Sequence, residues 1–128
     1  MANVFLIGLE RKHAAEIARV ASAARHTVFE RSHSIDTHEL SDAGIVFAGG
    51  APPVLKSLLR RIRGAYPTLP VVAVLETFCL PDMLVEAGAT DCCWAPTGWR
   101  PIQRFMELME TGDLRTERQS RAAGASGR

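Results

Sequence analysis

The chain has 128 residues, of which 47% are hydrophobic and 23% charged, with a formal net charge of +1. This length fits one domain with its own core, and the apolar content excludes a disordered chain. The near-neutral charge gives no electrostatic indication of binding to nucleic acid or to an anionic membrane surface, and no apolar run is long enough to span a membrane.

Short apolar runs alternate with helical patterns in the first half of the chain. Strands are predicted over residues 4–7 and 44–48, where the sequence has short apolar runs, the first of the buried-strand type, and a weaker strand is predicted over residues 27–30. Apolar residues between 14 and 21 recur with helical spacing and predict a helix with one apolar face. The polar stretch 32–42 has room for only one or two helical turns.

The same alternation continues through the second half of the chain. Proline follows a pair of glycines and is placed to open a helix, and Gly88 is placed to end one. The predicted elements are a helix around residues 55–62, a strand over 70–75, a short helix over 81–87, a strand over 91–95 and a helix over 102–109.

Five buried strands with a helical segment in each gap predict a parallel sheet with helices on both faces. The expected architecture is a three-layer α/β/α sandwich formed by residues 1–110. Residues 111–128 carry four arginines among small polar residues and are expected to be a flexible tail or linker stub.

The three cysteines cannot all pair, two of them are adjacent, and the chain opens without a signal-peptide pattern, so reduced thiols in a cytoplasmic protein are expected.

Two segments of the sequence resemble a known family. Residues 85–91, Val-Glu-Ala-Gly-Ala-Thr-Asp, are similar to a stretch between a helix and the last strand of the receiver domain of two-component response regulators. Residues 58–63 with the following Pro67-x-Leu-Pro-Val-Val resemble the helix and strand that precede it. The resemblance covers residues 3–110 and implies a flavodoxin-like (βα)5 fold with strand order 2-1-3-4-5.

The resemblance also places the positions at which receivers carry out phosphotransfer. That chemistry requires an aspartate nucleophile, acidic ligands for Mg²⁺, a hydroxyl and a lysine. Here the required side chains are missing together. The phosphoacceptor position is Ala48, and the acidic pair aligns with Gly8 and Leu9, so that only Glu10 remains as an acid there. The hydroxyl residue aligns with Leu75, or with Thr77 if the register slips by two. The lysine aligns with Ala95, and the proline that follows it, a candidate cis-proline, is Pro96.

The resemblance therefore implies a degenerate receiver, or pseudo-receiver, that is not an enzyme and uses no cofactor or metal. It is expected to act through a protein partner, such as a kinase or a transcriptional regulator, or as a homodimer. The expected interaction face contains Cys92, Trp94 and Trp99 together with the last helix.

A second hypothesis is a small enzyme or ligand-binding domain that uses the strand ends around Glu10, Gly49 and Glu76. One strand separates the two glutamates, so their backbones should lie about 10 Å apart, and paired carboxylates suit acid–base chemistry. No histidine, serine or cysteine nucleophile is expected beside them, so the default interpretation is that both are exposed surface glutamates.

Two polar clusters are assigned to the solvent-exposed surface. The first lies in the connector 32–42, where the spacing of the two histidines does not place them on one helical face. The second is a run of cations opposite the leucine and isoleucine face of the helix around 55–62. The clusters are His33, Asp36, His38 and Glu39, and Lys56, Arg60, Arg61 and Arg63.

Overall fold

Five parallel strands form one sheet in the order β2-β1-β3-β4-β5, which confirms the predicted sheet order and fold class. The structure is a computed structural model that describes residues 2–76 and 81–94 and, beyond them, the helical residues 104 and 107. Its elements are β1 (Asn3–Ile7), α1 (Arg11–Ala23), β2 (Thr27–Arg31), a 3₁₀ turn (Thr37–Leu40), β3 (Ile45–Ala48), α2 (Pro52–Ala65), β4 (Val71–Leu75), α3 (Pro81–Ala87) and β5 (Asp91–Trp94).

The three central strands are buried on both faces, because successive side chains of a strand point to opposite sides of the sheet. On one side, Phe5 and Ile7 pack in a core that includes the apolar faces of α2 and α3. On the other side, Val4 and Leu6 pack against α1. These two cores explain why the strands are continuous apolar runs rather than alternating ones.

The start of α2 and the end of α3 lie where the sequence predicts. Pro52 lies in the first turn of α2, where its missing N–H costs no hydrogen bond. Gly88 ends α3 with a φ of +127°, a conformation that favours glycine. The connector between β2 and β3 contains a single 3₁₀ turn, and the side chain of Asp36 caps it by accepting a hydrogen bond from the backbone N–H of His38.

The basic run on α2 is not only solvated surface, which corrects the sequence prediction. The guanidinium of Arg61 donates to the backbone oxygens of His33 and Ile35. Arg63 is half-buried, and its guanidinium joins the end of α2 to the loops that precede β4 and β5. Its acceptors are the backbone oxygens of Tyr66, Pro67, Leu69 and Gly88 and the hydroxyl of Thr90.

The remaining predictions for the end of the chain fall outside the described residues. These are the tail 111–128 and most of the predicted last helix, of which Arg104 and Glu107 are helical and exposed. Within the described part of the chain, no helix combines the length and apolar content needed to cross a bilayer.

Candidate functional site

The carboxyl ends of the parallel strands meet at one edge of the sheet, where open α/β folds place their sites. Gly8 follows β1, the pair Gly49 and Gly50 follows β3, and Glu76 follows β4. Glycines at the ends of β1 and β3 leave space above the sheet that side chains from neighbouring segments can enter. Two polar side chains enter this space, one from each side, and Leu9 also lies over Gly49.

Glu76 fills the side nearer to β4. Its side chain is only 3% exposed, so the expectation of an exposed surface glutamate is wrong for Glu76. The backbone N–H groups of Glu10 and Gly50 donate to its two oxygens at 2.7 and 3.1 Å. A Cβ atom added at Gly49 would lie 2.6 Å from one carboxylate oxygen, so glycine is needed for this approach. Glu76 thereby connects the ends of β1, β3 and β4.

His13 is the third group at this carboxylate, and the sequence analysis missed it. Its Nδ1 atom lies 2.6 Å from Oε2 of Glu76 and 4.0 Å from Oε2 of Glu10. The expectation that no histidine lies beside the two glutamates is therefore wrong. The available signal was the spacing of Glu10 and His13, since residues three apart lie on the same face of a helix.

His33 fills the side nearer to β2, which corrects its assignment to a solvated connector. Its Nε2 atom lies 2.6 Å from the carbonyl oxygen of Gly49 and must donate, because a carbonyl can only accept. A Cβ atom at Gly8 or Gly50 would lie 2.0 or 2.5 Å from this ring. Gly8 also has a φ of +68°. Arg61 holds the loop through the backbone oxygen of His33.

The positions that the receiver resemblance assigns to phosphotransfer lie at this same edge. Ala48 ends β3 with no exposed surface, and Leu75 ends β4 at 3% exposure. Leu9 is half-buried, and its side chain lies over Gly49. Glu10 is exposed and approaches His13 and Lys12 only at 4.0 and 3.9 Å. Ala95, Pro96 and the alternative Thr77 lie outside the described residues.

The expected interaction face is described in part. Trp94 is 38% exposed at the end of the edge strand β5, and Cys92 is half-buried with its thiol directed at the Pro81 carbonyl. Cys93 points to the opposite side of the sheet, where burial, aided by the Asp91 carboxylate, raises its pKa to about 12. Trp99 lies outside the described residues.

The rest of the connector cluster is exposed, as predicted. The backbone N–H and the ring of His38 donate to the carboxylate of Asp36, and these hydrogen bonds hold the pKa of Asp36 below its ordinary value. Glu39 pairs with Arg31 at 3.0 Å on the surface. The four residues therefore do not converge on a common point.

No protein-family model and no curated protein sequence matches this chain. Solved structures do match it. A response regulator receiver domain protein from Clostridium thermocellum superposes with a TM-score of 0.72 at 17% identity, over 91% of this chain and 98% of that one. A response regulator from Thermotoga maritima gives a TM-score of 0.68 at 17% identity, over 85% and 97%.

NtrX from Brucella abortus, solved in complex with ADP, matches 99% of this chain with a TM-score of 0.71 and 18% identity. This chain spans only 30% of the length of NtrX. At these identities the likeness shows the fold. The chain therefore has the flavodoxin-like architecture found in response regulator receivers.

Proposed function

We propose that this chain is a receiver-like signalling module of the two-component type that acts by protein–protein contact and takes up no phosphoryl group. The observation that carries the proposal is the side chain at the end of β3. Ala48 stands at the aligned phosphoacceptor position, and its methyl group is fully buried. A methyl group has no oxygen with which to attack phosphorus.

The surroundings of Ala48 support the same conclusion. Gly8 and Leu9, at the aligned acidic positions, offer no carboxylate to the hard cation that phosphotransfer requires. His33 covers Gly8 and Gly50, while Glu76 lies over Gly49. A phosphoryl group entering here would displace both side chains and meet the Glu76 carboxylate, which has the same sign of charge.

We expect no phosphorylated product when the protein is incubated with acetyl phosphate and Mg²⁺. Intact-mass spectrometry measures the result, and a receiver domain with its aspartate in place, treated in the same way, shows that the reagent is active. The variant Ala48→Asp should also remain unmodified, because it restores the nucleophile without the acidic pair. An acid-stable, hydroxylamine-sensitive phosphoryl adduct on the wild-type chain would contradict the proposal.

The interaction face forms the second half of the proposal. The large hydrophobic side chains exposed in the described part of the chain are Val54 on α2, Met83 and Val85 on α3, and Trp94 on β5. Three of these four belong to α3 and β5, which pack beside each other. Partly exposed tryptophan is a frequent anchor of protein interfaces. We therefore assign partner binding to Cys92, Trp94 and the α3 side of the sheet, with Trp99 included from the sequence.

A photo-crosslinking residue placed at position 94 is expected to capture one defined protein in the native cell. That protein would be a kinase, a transcriptional regulator or a second copy of this chain. Position 54 is the matched control, because Val54 is 45% exposed and Trp94 38%. Mass spectrometry of the adducts measures the result. Equal capture at positions 94 and 54 would remove the evidence for this face.

The proposal includes a non-enzymatic role and a cytoplasmic location, and the free, buried thiol of Cys93 favours the latter. The second candidate, a small enzyme or ligand-binding domain at Glu10 and Glu76, gains support from His13, which supplies the base that the sequence lacked. However, one cavity of about 400 Å³ at this end of the sheet is lined by residues such as Leu6, Gly8 and Arg31, and the two glutamates are not among its lining residues. The protein-contact role is therefore favoured.

A further inference from the structure

Three potential metal ligands converge at the carboxyl edge of the sheet. One oxygen of Glu10, Nδ1 of His13 and one oxygen of Glu76 all lie within 4.8 Å of one another. They come from the start of α1 and from the end of β4, two segments more than 60 residues apart in the sequence. We propose that this triad binds a divalent transition-metal ion of the Zn²⁺ class.

The distances are close to those that a metal requires. Ligand atoms about 2.1 Å from a tetrahedral ion lie about 3.4 Å from one another. Nδ1 of His13 is 2.6 Å from Glu76 and 4.0 Å from Glu10, so one distance must lengthen and the other shorten by less than about 1 Å. The Glu10 side chain is 55% exposed and can make this movement without disturbing the core.

The least exposed ligand is already held in place by the backbone. Gly50 donates its N–H to one oxygen of Glu76, and Glu10 donates its N–H to the other. Hydrogen bonds of this kind orient metal-binding carboxylates and strengthen their sites. His13 is also restrained, because it lies on the first turn of α1 and its side chain is only 15% exposed.

The charges of the ligands and their surroundings favour a cation. Two carboxylates and a neutral imidazole neutralise a divalent ion. The competing cation is Lys12, whose ammonium lies 3.9 Å from Glu10, but its side chain is 76% exposed and such solvated pairs are weak. The exposure of Glu10 leaves the fourth coordination position open to water.

The ligand types distinguish this triad from the acidic pocket that the receiver resemblance implies. That pocket uses oxygen ligands for Mg²⁺, at positions occupied here by Gly8, Leu9 and Ala48. A site with an imidazole nitrogen selects Zn²⁺, Co²⁺ and related ions over Mg²⁺. The inference concerns different residues and does not depend on the proposed function.

Titration of the full chain with Co²⁺ alone, under reducing conditions, tests the inference. We expect one equivalent to bind and to give visible d–d absorption of a nitrogen–oxygen site, without the intense near-ultraviolet band of cobalt–thiolate bonding that Cys92 or another cysteine would produce. His13→Gln and Glu10→Gln should each weaken binding at least tenfold. In His13→Gln the new amide can still hydrogen-bond Glu76, and in Glu10→Gln the backbone N–H of residue 10 still donates to Glu76. Neither change therefore removes all the contacts that hold the Glu76 carboxylate.

His38→Gln is the matched control, because His38 is an exposed histidine beside a carboxylate, that of Asp36. It should leave the affinity for Co²⁺ within twofold of the wild type. Binding that survives either His13→Gln or Glu10→Gln, that is lost with His38→Gln, or that produces the thiolate band would overturn the inference. So would the absence of saturable binding. None of these outcomes alters the acetyl phosphate result, so the two proposals fail independently.

Discussion

Replacing Arg63 with methionine is expected to lower the free energy of unfolding by about 3 kcal/mol, since buried acceptors that lose their donor cost about 1–3 kcal/mol each. The guanidinium donates to the backbone oxygen of Gly88 through two nitrogens, at 2.8 and 2.6 Å, and to that of Leu69 at 2.8 Å. It also reaches the hydroxyl of Thr90, which accepts from the N–H of Val71. Its loss would therefore loosen the loop that precedes β4 and the loop that precedes β5.

Chemical denaturation measures the effect, and Arg60→Met is the matched control, because Arg60 is an exposed arginine on the same helix. That control should change the unfolding free energy by less than about 0.5 kcal/mol. Arg63→Lys should restore only part of the loss, because one ammonium cannot reproduce the planar fork of donors. Equal effects of Arg63→Met and Arg60→Met would show that the carbonyl contacts contribute little to stability.

Glu76→Ala is expected to lower the unfolding free energy by about 2 kcal/mol, because its carboxylate satisfies two backbone donors and His13 in a buried setting. The more specific readout is hydrogen exchange, which should accelerate at the amides of Glu10 and Gly50. Glu76→Gln should have an intermediate effect, since the amide keeps one oxygen acceptor but directs its NH₂ group at the remaining donors.

Glu10→Ala provides the control at the other end of this contact. It removes an exposed carboxylate with only long ion pairs but retains the N–H that donates to Glu76. In the absence of metal it should leave stability and the exchange rate at Gly50 nearly unchanged. Unaltered exchange at Glu10 and Gly50 in Glu76→Ala would show that the carboxylate does not join these strand ends.

Polar side chains of the protein itself cover the glycines at the carboxyl edge of the sheet. Glu76 and His33 approach from opposite sides over glycines, and each hydrogen-bonds the turn at Gly49 and Gly50. Side chains of the chain itself thus occupy the part of this edge above the end of β3, where an open α/β fold offers space to a ligand, and the cavity of about 400 Å³ lies beside it, near the ends of β1 and β2. This arrangement suits a module whose partner-binding face is fixed by folding, as the proposed function requires.

The sequence by itself determined the five strands, the helices α1, α2 and α3 and the residue at the end of β3. Strand and helix patterns are local, because a buried strand needs a short apolar run and a helix needs one apolar face. The identity of Ala48 needs only the position of its strand. The strand order came from a resemblance carried by segments such as residues 85–91, and the sheet confirmed it.

Only the tertiary structure decided which polar side chains meet. His13 and Glu76 are 63 residues apart in the sequence, and Arg63 and Gly88 are 25 apart. The position of the end of a long side chain depends on its torsion angles and on where distant loops lie. The local pattern of apolar residues encodes neither. The same helical pattern that placed Arg63 on a solvent-facing side could not show that its guanidinium turns back to the carbonyls of the next loop, because that loop is positioned by the packing of α3 on α2.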